Sequence, residues 1–311
     1  MKYSVDIEAG NALVNKLKKK APSIGGFNGM MEIPLGYEQP LLVSGADGVG
    51  TKINICSIAF DYTTIGIDLV AMCANDVICS GAKPLYFLDY ISTRTIDARV
   101  EDILSGIIKG CEIAEMELLG GETAEHYTAT DYDLAGFCTG IVEKYDIVDG
   151  SSIRAGDKII GIESSGLHSN GYSLVNNLLL RNYIYYKEMP ELLIPTTIYS
   201  QVVKELLNEV PVLGMAHITG GGIPENLPRC FPSSLAPKVD YSSWERPELF
   251  NKIQEAGDIE ESEMRRVFNL GIGFCLVIPE EVVIDTQGII SNHGMKSWVI
   301  GEVIDGSGRP N

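Results

Sequence analysis

Apolar and polar positions along the first half of the chain alternate between a two-residue and a 3.6-residue period. LLVSGAD reads as a strand, and the β-branched run TKINICSIAF predicts another. GIDLVAMCANDVICSGA is apolar nearly all round and predicts a buried helix that ends near Gly81, with Pro84 beyond it. LYFLDYIS is strand-like. Thr95 to Met116 predicts an amphipathic helix with Ile103, Ile107 and Cys111 on one face. ELLGGE predicts a short strand with a turn, and YDLAGFCTGIVEK a further strand. Asp149-Gly150-Ser151-Ser152 is a turn-rich break. The alternation then resumes with DKIIGIES (strand), SNGYSLVNNLLLRN and TTIYSQVVKELLNE (helices), the HITGGG turn, PELFNKIQEAG (helix), and GIGFCLVIP and SWVIGEVI (strands). The pattern predicts an α/β protein of the α+β type with two mixed domains, residues 1–152 and 153–311.

Composition narrows the class. A chain of 311 residues suits two domains better than one core. No run of 18 apolar residues occurs, so no membrane span is expected. The opening MKYSVDIEAGNALVNKLKKK lacks an apolar core, so no secretion signal is expected. Seven dispersed cysteines with no C-x-x-C pair suit a reducing cytoplasm. A formal net charge of −18 argues against nucleic acid as a partner. It leaves phosphate ligands open, because a divalent cation and helix N-termini can hold phosphate on an acidic protein.

Candidate chemistry starts at SGADGVGTK, residues 44–52. Gly45 and Gly50 have the spacing of the common phosphate loop, but Thr51 precedes Lys52 and Asp47 sits inside. Asp47 would repel a bare triphosphate and would suit one bridged by Mg²⁺. The alternative is a glycine hairpin without a ligand. On the following helix, Asp68 and Asp76 lie eight residues apart on one side. A buried carboxylate is costly unless paired or metal-bound, and the helix carries no Lys or Arg. Asp68 lies near the start, where a cap or the helix dipole accounts for it; Asp76 has no such account and reads as a metal ligand. Glu122 follows Gly120-Gly121, which let backbone approach a ligand. Oxygen ligands without His or Cys partners point to Mg²⁺. In the second half, Gly166–Tyr172 (GLHSNGY) and His217–Pro224 (HITGGGIP) each open a helix and read as phosphate cradles or as ordinary caps. His168 is the candidate acid/base.

Taken in order, SGADGVGTK, GIDLVAMCANDVICSGAKPLYFLDY, GGETAE, DLAGFCTGIVEK, GLHSNGYSLV, AHITGGGIPENLPR and RVFNLGIG closely resemble the phosphoribosylformylglycinamidine cyclo-ligases, from about Val5 to Val303. The resemblance implies an ATP-driven ring closure. ATP phosphorylates the formamide oxygen of formylglycinamidine ribonucleotide, the amidine nitrogen attacks, phosphate leaves, and aminoimidazole ribonucleotide forms. It also implies ATP and Mg²⁺ as cofactors. Nucleotide binding would fall to Asp47, Gly48, Gly50, Thr51, Lys52, Asp76, Glu122 and Lys18. Metal ligation would fall to Asp47, Asp76 and Glu122, with Asp68 as a further candidate. Ser169, Asn170, Thr219, Gly220, Gly221 and Gly222 would meet substrate, one turn taking its 5′-phosphate. The catalytic candidates are His168, Asn170, which could orient the formyl group, and Lys52. The family forms a homodimer whose first-domain sheets close into a β-barrel. Two departures concern the N-terminus: it is short, and Asn28 stands where the family often has glycine. Alternatives are a sister ATP-using phosphoryl transferase or a nucleotide sensor. No Cys-Lys pair near the N-terminus suggests a selenophosphate synthetase; the first cysteine, Cys56, precedes Ser57.

Overall fold

The computed structural model describes residues 21, 22, 24, 28–126 and 132–306; Lys18 lies outside them. Strand β1 (Pro40–Gly48) runs into a single 3-10 turn (Gly50–Lys52) and helix α1 (Ile53–Ala59). The strand expected over TKINICSIAF is therefore a helix. The reason is tertiary: Lys52, Ile55 and Cys56 are all fully buried. Their i, i+3, i+4 spacing makes one helical face, whereas adjacent strand residues point to opposite sides.

Helix α2 (Ile65–Ile78) follows, then β2 (Lys83–Thr93), α3 (Ala98–Ala114), β3 (Glu117–Glu125) and β4 (Tyr132–Glu143). Helix α3 is capped by Asp97, whose carboxylate accepts from Arg99 N. The four strands form one sheet, ordered β1-β4-β2-β3. Only β2 and β3 are parallel, joined by the α3 crossover. The GGE stretch, expected as a turn, lies within continuous β3, with a register shift at Phe87/Leu88 of its partner. Phe87 and Ile91 point inward and are fully buried. The opposite face leaves Leu42, Phe137 and Tyr90 exposed.

The second half builds β5 (Lys158–Glu163), α4 (Tyr172–Leu180), α5 (Ser200–Glu209), β6 (Gly214–His217), α6 (Gly222–Asn226), β7 (Leu235–Val239), α7 (Glu248–Gly257), α8 (Glu261–Val267), β8 (Ile272–Ile278), α9 (Val283–Asn292) and β9 (Ser297–Asp305). Its antiparallel sheet is ordered β6-β8-β5-β9-β7. Every residue of β8, the second strand in that order, is buried. The protein is thus a mixed α/β fold with two sheets, as the periodicity predicts. Helices α8 and α9 and strand β7 carry mixed patterns and were not legible from periodicity. No helix among the described residues is long and apolar enough to cross a membrane.

One polar seam joins the halves along α2. Thr64 Oγ1 donates to Leu193 O (2.9 Å), Asn75 Nδ2 donates to Thr197 O (2.8 Å), and Tyr199 N donates to Asn75 Oδ1 (3.0 Å). Between them lies Asp68. A helix nearly apolar all round therefore carries one polar stripe, which docks residues 193–199.

Candidate active site

Asp76 ends that stripe at the cleft. Its side chain is 50% exposed, although most of its helix is buried. His217, at the end of β6, sits 2.9 Å away through Nδ1 and is nearly sealed from solvent. Thr197 O and Tyr199 N orient the Asn75 amide so that its Nδ2 faces His217 Nε2 at 3.4 Å; this assigns Nε2 as acceptor and leaves Nδ1–H to donate to Asp76. His217 thus aims Asp76 and leaves Oδ2 without a hydrogen bond among the described residues. Sequence reasoning quoted His217 only as part of a turn. Its signal was adjacency to the TGGG glycines, but its partner lies 141 residues away.

Asp47 stands on β1 beside this pair. A Cβ at Gly45 would touch Cys73 O, Val77 and Asp76 Cβ, so this face of β1 packs on the last turns of α2. Desolvation pushes the Asp47 carboxyl above its ordinary range; a hydrogen bond from Gly48 N (2.7 Å) opposes this and the Asp76 charge adds to it. Two carboxylates are therefore held near one another. Glu122 is not with them: β3 is three strand spacings from β1, about 14 Å. Among the described residues no three acid, His or Cys groups converge on a ready-made metal site.

Beside Glu122 is an acid that sequence reasoning missed. Asp89 is buried on β2 and opposite Gly121, where any Cβ would collide with its Oδ1. Burial pushes its carboxyl up to about 7, with the Glu122 charge adding. Between pH 4 and 7 the unfolded chain releases this proton and the folded chain keeps it, so stability falls across that window and levels off above it. Asp89→Asn is expected to raise the melting temperature at pH 8 and leave it near wild type at pH 4, a difference on the order of a few kcal/mol. An equal change at both pH values would refute this origin.

Asp68 lies in the first turn of α2, as expected, and its carboxylate meets Lys52, which the sequence had suggested for phosphate. Both are fully buried, 2.9 Å apart. The Lys52 ammonium also donates to His168 O (2.9 Å) and Ile194 O (2.8 Å), using all three N–H bonds. Asp68 Oδ1 accepts from Thr196 N (2.7 Å), Thr196 Oγ1 (2.6 Å) and Ser169 Oγ (3.1 Å) as well. The cation that the helix lacks comes from the loop before it. All of these bonds reach Asp68 Oδ1; Oδ2 is buried without a hydrogen-bond partner among the described residues, and the Lys52 ammonium has no N–H left over.

The Gly166–Tyr172 turn lies against these groups. His168 has φ 61° and Gly171 φ 80°. Phe268 packs where a Gly171 side chain would be, and Asn269 Nδ2 donates to Gly166 O (2.8 Å). The FNLG stretch is thus the turn's buttress. His168 is 1% exposed, and its Nε2 accepts from Ser165 N (3.3 Å). Burial above all, with the Lys52 charge adding, holds its imidazole well below the usual range. It is a neutral, enclosed ring, which does not match an acid/base open to substrate. Asn170 reaches the second turn instead: a Cβ on Gly220 would stand 3.4 Å from Asn170 Oδ1. In that turn Asn226 Nδ2 donates to the carbonyls of Thr219 (3.3 Å), Gly220 (3.0 Å) and Gly222 (2.9 Å). Drawing these carbonyls inward leaves the Gly220 and Gly221 amides without a backbone acceptor among the described residues. Gly221 and Gly222 both have positive φ, which only glycine adopts cheaply. Asp76, His217, Thr219, Asn226 and Arg229 line a cavity of 310 Å³ between the two halves.

Comparisons with known proteins agree with this architecture. Residues 31–142 match the family "AIR synthase related protein, N-terminal domain", and residues 154–309 match its C-terminal domain. The phosphoribosylformylglycinamidine cyclo-ligase of Prochlorococcus marinus (strain NATL1A) is 48% identical over 97% of this chain and 94% of its own. Among solved structures, hydrogenase maturation protein HypE in complex with ATP aligns with TM-score 0.69 at 16% identity, covering 94% of this chain and 86% of that one. Thiamine-monophosphate kinase from Stenotrophomonas maltophilia aligns with TM-score 0.69 at 15% identity, covering 95% and 94%. The distant structures share the fold; the near-half identity through both domains shows that the chain belongs to the phosphoribosylformylglycinamidine cyclo-ligase family.

Proposed function

We propose that the cleft between the domains closes the imidazole ring of formylglycinamidine ribonucleotide at the expense of ATP, giving aminoimidazole ribonucleotide, ADP and phosphate. The observation that carries this reading is 48% identity to a phosphoribosylformylglycinamidine cyclo-ligase over 97% of the chain. The chain is an ATP-dependent ligase of purine biosynthesis, the activity for which its relatives are named.

The chain's own residues divide the work. Asp47, Gly48, Gly50 and Thr51 form the loop that receives the triphosphate. Asp47 and Asp76 fit Mg²⁺, which takes one or two carboxylates and completes its octahedron with phosphate oxygens and water. Bound there with the nucleotide, the ion would neutralise phosphoryl charge. Glu122 acts from a separate position on the far edge strand. The Gly220 and Gly221 amides, Thr219 and Ser169 belong to the substrate side, and Asn170 orients the formyl group at the junction of the two turns. His168 shapes its turn from inside. Catalysis here is positioning and charge stabilisation. The exposed apolar row Leu42, Phe137 and Tyr90 is the face on which a second copy closes a barrel. The cytoplasm is the proposed compartment.

The test is ADP release from ATP and Mg²⁺, with and without formylglycinamidine ribonucleotide, the product being followed by its aminoimidazole colour reaction. ADP matched one for one by product is the expected result. No substrate-dependent turnover in a folded dimer would overturn the reading, with selenide and thiamine monophosphate as the next substrates. Light scattering of the same sample checks the dimer.

A further inference from the structure

We infer that Lys52 and Asp68 are an interdomain positioning pair, which sets the glycine loop of the first domain against the Gly166–Tyr172 turn of the second without touching either substrate. The inference rests on the cleft reading above for its kinetic part only.

Lys52 directly follows the loop proposed to receive the triphosphate, so its backbone moves with that loop. Its ammonium reaches the other domain twice, at His168 O and at Ile194 O. Asp68, the third acceptor, lies on α2 two turns before Asp76 and reaches the same two segments, through Ser169 and Thr196. One buried charge pair therefore ties together the nucleotide loop, the carboxylate-bearing helix, the turn that carries Asn170, and the strap 193–199. A second thread is parallel: Asn176 Nδ2, on α4, donates to Thr51 O (2.9 Å). The Lys52 ammonium also lies 5.4 Å from the Tyr172 ring centroid. A neutral pair could fill the same volume. What charge adds is direction, because both partners have several acceptors or donors in fixed geometry. Displacement of reacting groups by about 1 Å can cost on the order of 100-fold in rate.

The test uses Lys52→Met, Asp68→Asn and the double variant, with four readouts: kcat, the Kd of a non-hydrolysable ATP analogue with Mg²⁺, hydrogen exchange of peptides covering 166–172 and 193–199, and the melting temperature. Each single variant is expected to lose tenfold or more in kcat, and the double no more than the worse single, because one pair is broken once. The analogue's Kd is expected to stay within about twofold of wild type, while exchange quickens in both peptides. A tenfold weaker analogue in Lys52→Met alone would make Lys52 a phosphate ligand and overturn the inference. So would multiplicative losses in the double variant, or unchanged kcat with a lowered melting temperature, which would leave only a structural pair. Should Lys52→Met fail to fold, Asp68→Asn decides by the same split between kcat and Kd. If the wild type shows no cyclo-ligase turnover, the cleft reading has failed; the exchange readout then judges the pair alone, and unchanged exchange overturns it.

Discussion

Asp76→Asn is expected to lower kcat by roughly 100- to 1,000-fold or more, with the melting temperature within about 2 °C of wild type. The fold should survive because the side chain is half exposed and asparagine keeps its volume. Asparagine also keeps an oxygen for His217 Nδ1, so the aim of the group is retained and only its charge is lost. The effect is large because the charge works in a partly desolvated cleft. The same surroundings push the Asp47 carboxyl above its ordinary range. Steady-state kinetics at saturating Mg²⁺ and both substrates give the answer. A kcat near wild type would remove Asp76 from the charge-bearing machinery.

Gly66→Val is expected to lower the melting temperature by roughly 10 °C or to prevent folding. Helices α2 and α3 cross with their backbones in contact. A Cβ on Gly66 would collide with Ile103 O, Ile107 N and Gly106 C, all main-chain atoms that no rotamer change can move. Gly106 mirrors it: its Cβ would lie 2.9 Å from Thr63 O and 3.1 Å from Gly66 Cα. Valine adds two further methyl groups at the closest point. Overpacking of this kind costs about 3 kcal/mol or more, at about 2–4 °C per kcal/mol for a domain of this size. Because α2 carries Asp68, Asn75 and Asp76, parting the helices would disturb the whole seam. Thermal melts followed by circular dichroism decide; a transition within about 2 °C of wild type would show that the crossing opens cheaply.

Both predictions depend on α2, and α2 shows how far sequence reasoning reached. Its apolar circumference was legible as burial, and Asp76 as an acid needing an explanation. Asp68 was equally legible as a puzzle, but its partner was not. Lys52 sits 16 positions upstream in a segment read as strand, and Thr196 lies 128 positions downstream. Helix α1 was missed for a related reason. Its β-branched residues favour strand locally, and the burial of Lys52, Ile55 and Cys56 on one face outweighs that preference. Asp89 was passed over inside LYFLDYIS because alternation assigns it a face and not a neighbour; Gly121 and Glu122, which shape its environment, arrive from β3.

Local information in the chain therefore determined most of the periodic elements, the glycine turns and the family resemblance. These depend on spacing within about 20 residues or on motifs that survive as strings. Tertiary structure decided which charges meet. It brought Lys52 and Asp68 together in one buried ion pair and enclosed the His168 ring beside them. It also set Glu122 apart from Asp47 and Asp76 and supplied His217 to the latter. The physical reason is that the state of a polar side chain depends on what surrounds it within a few ångströms. Here those surroundings come from separate elements, 16 residues apart for Lys52 and Asp68 and 141 for Asp76 and His217, which no periodicity records.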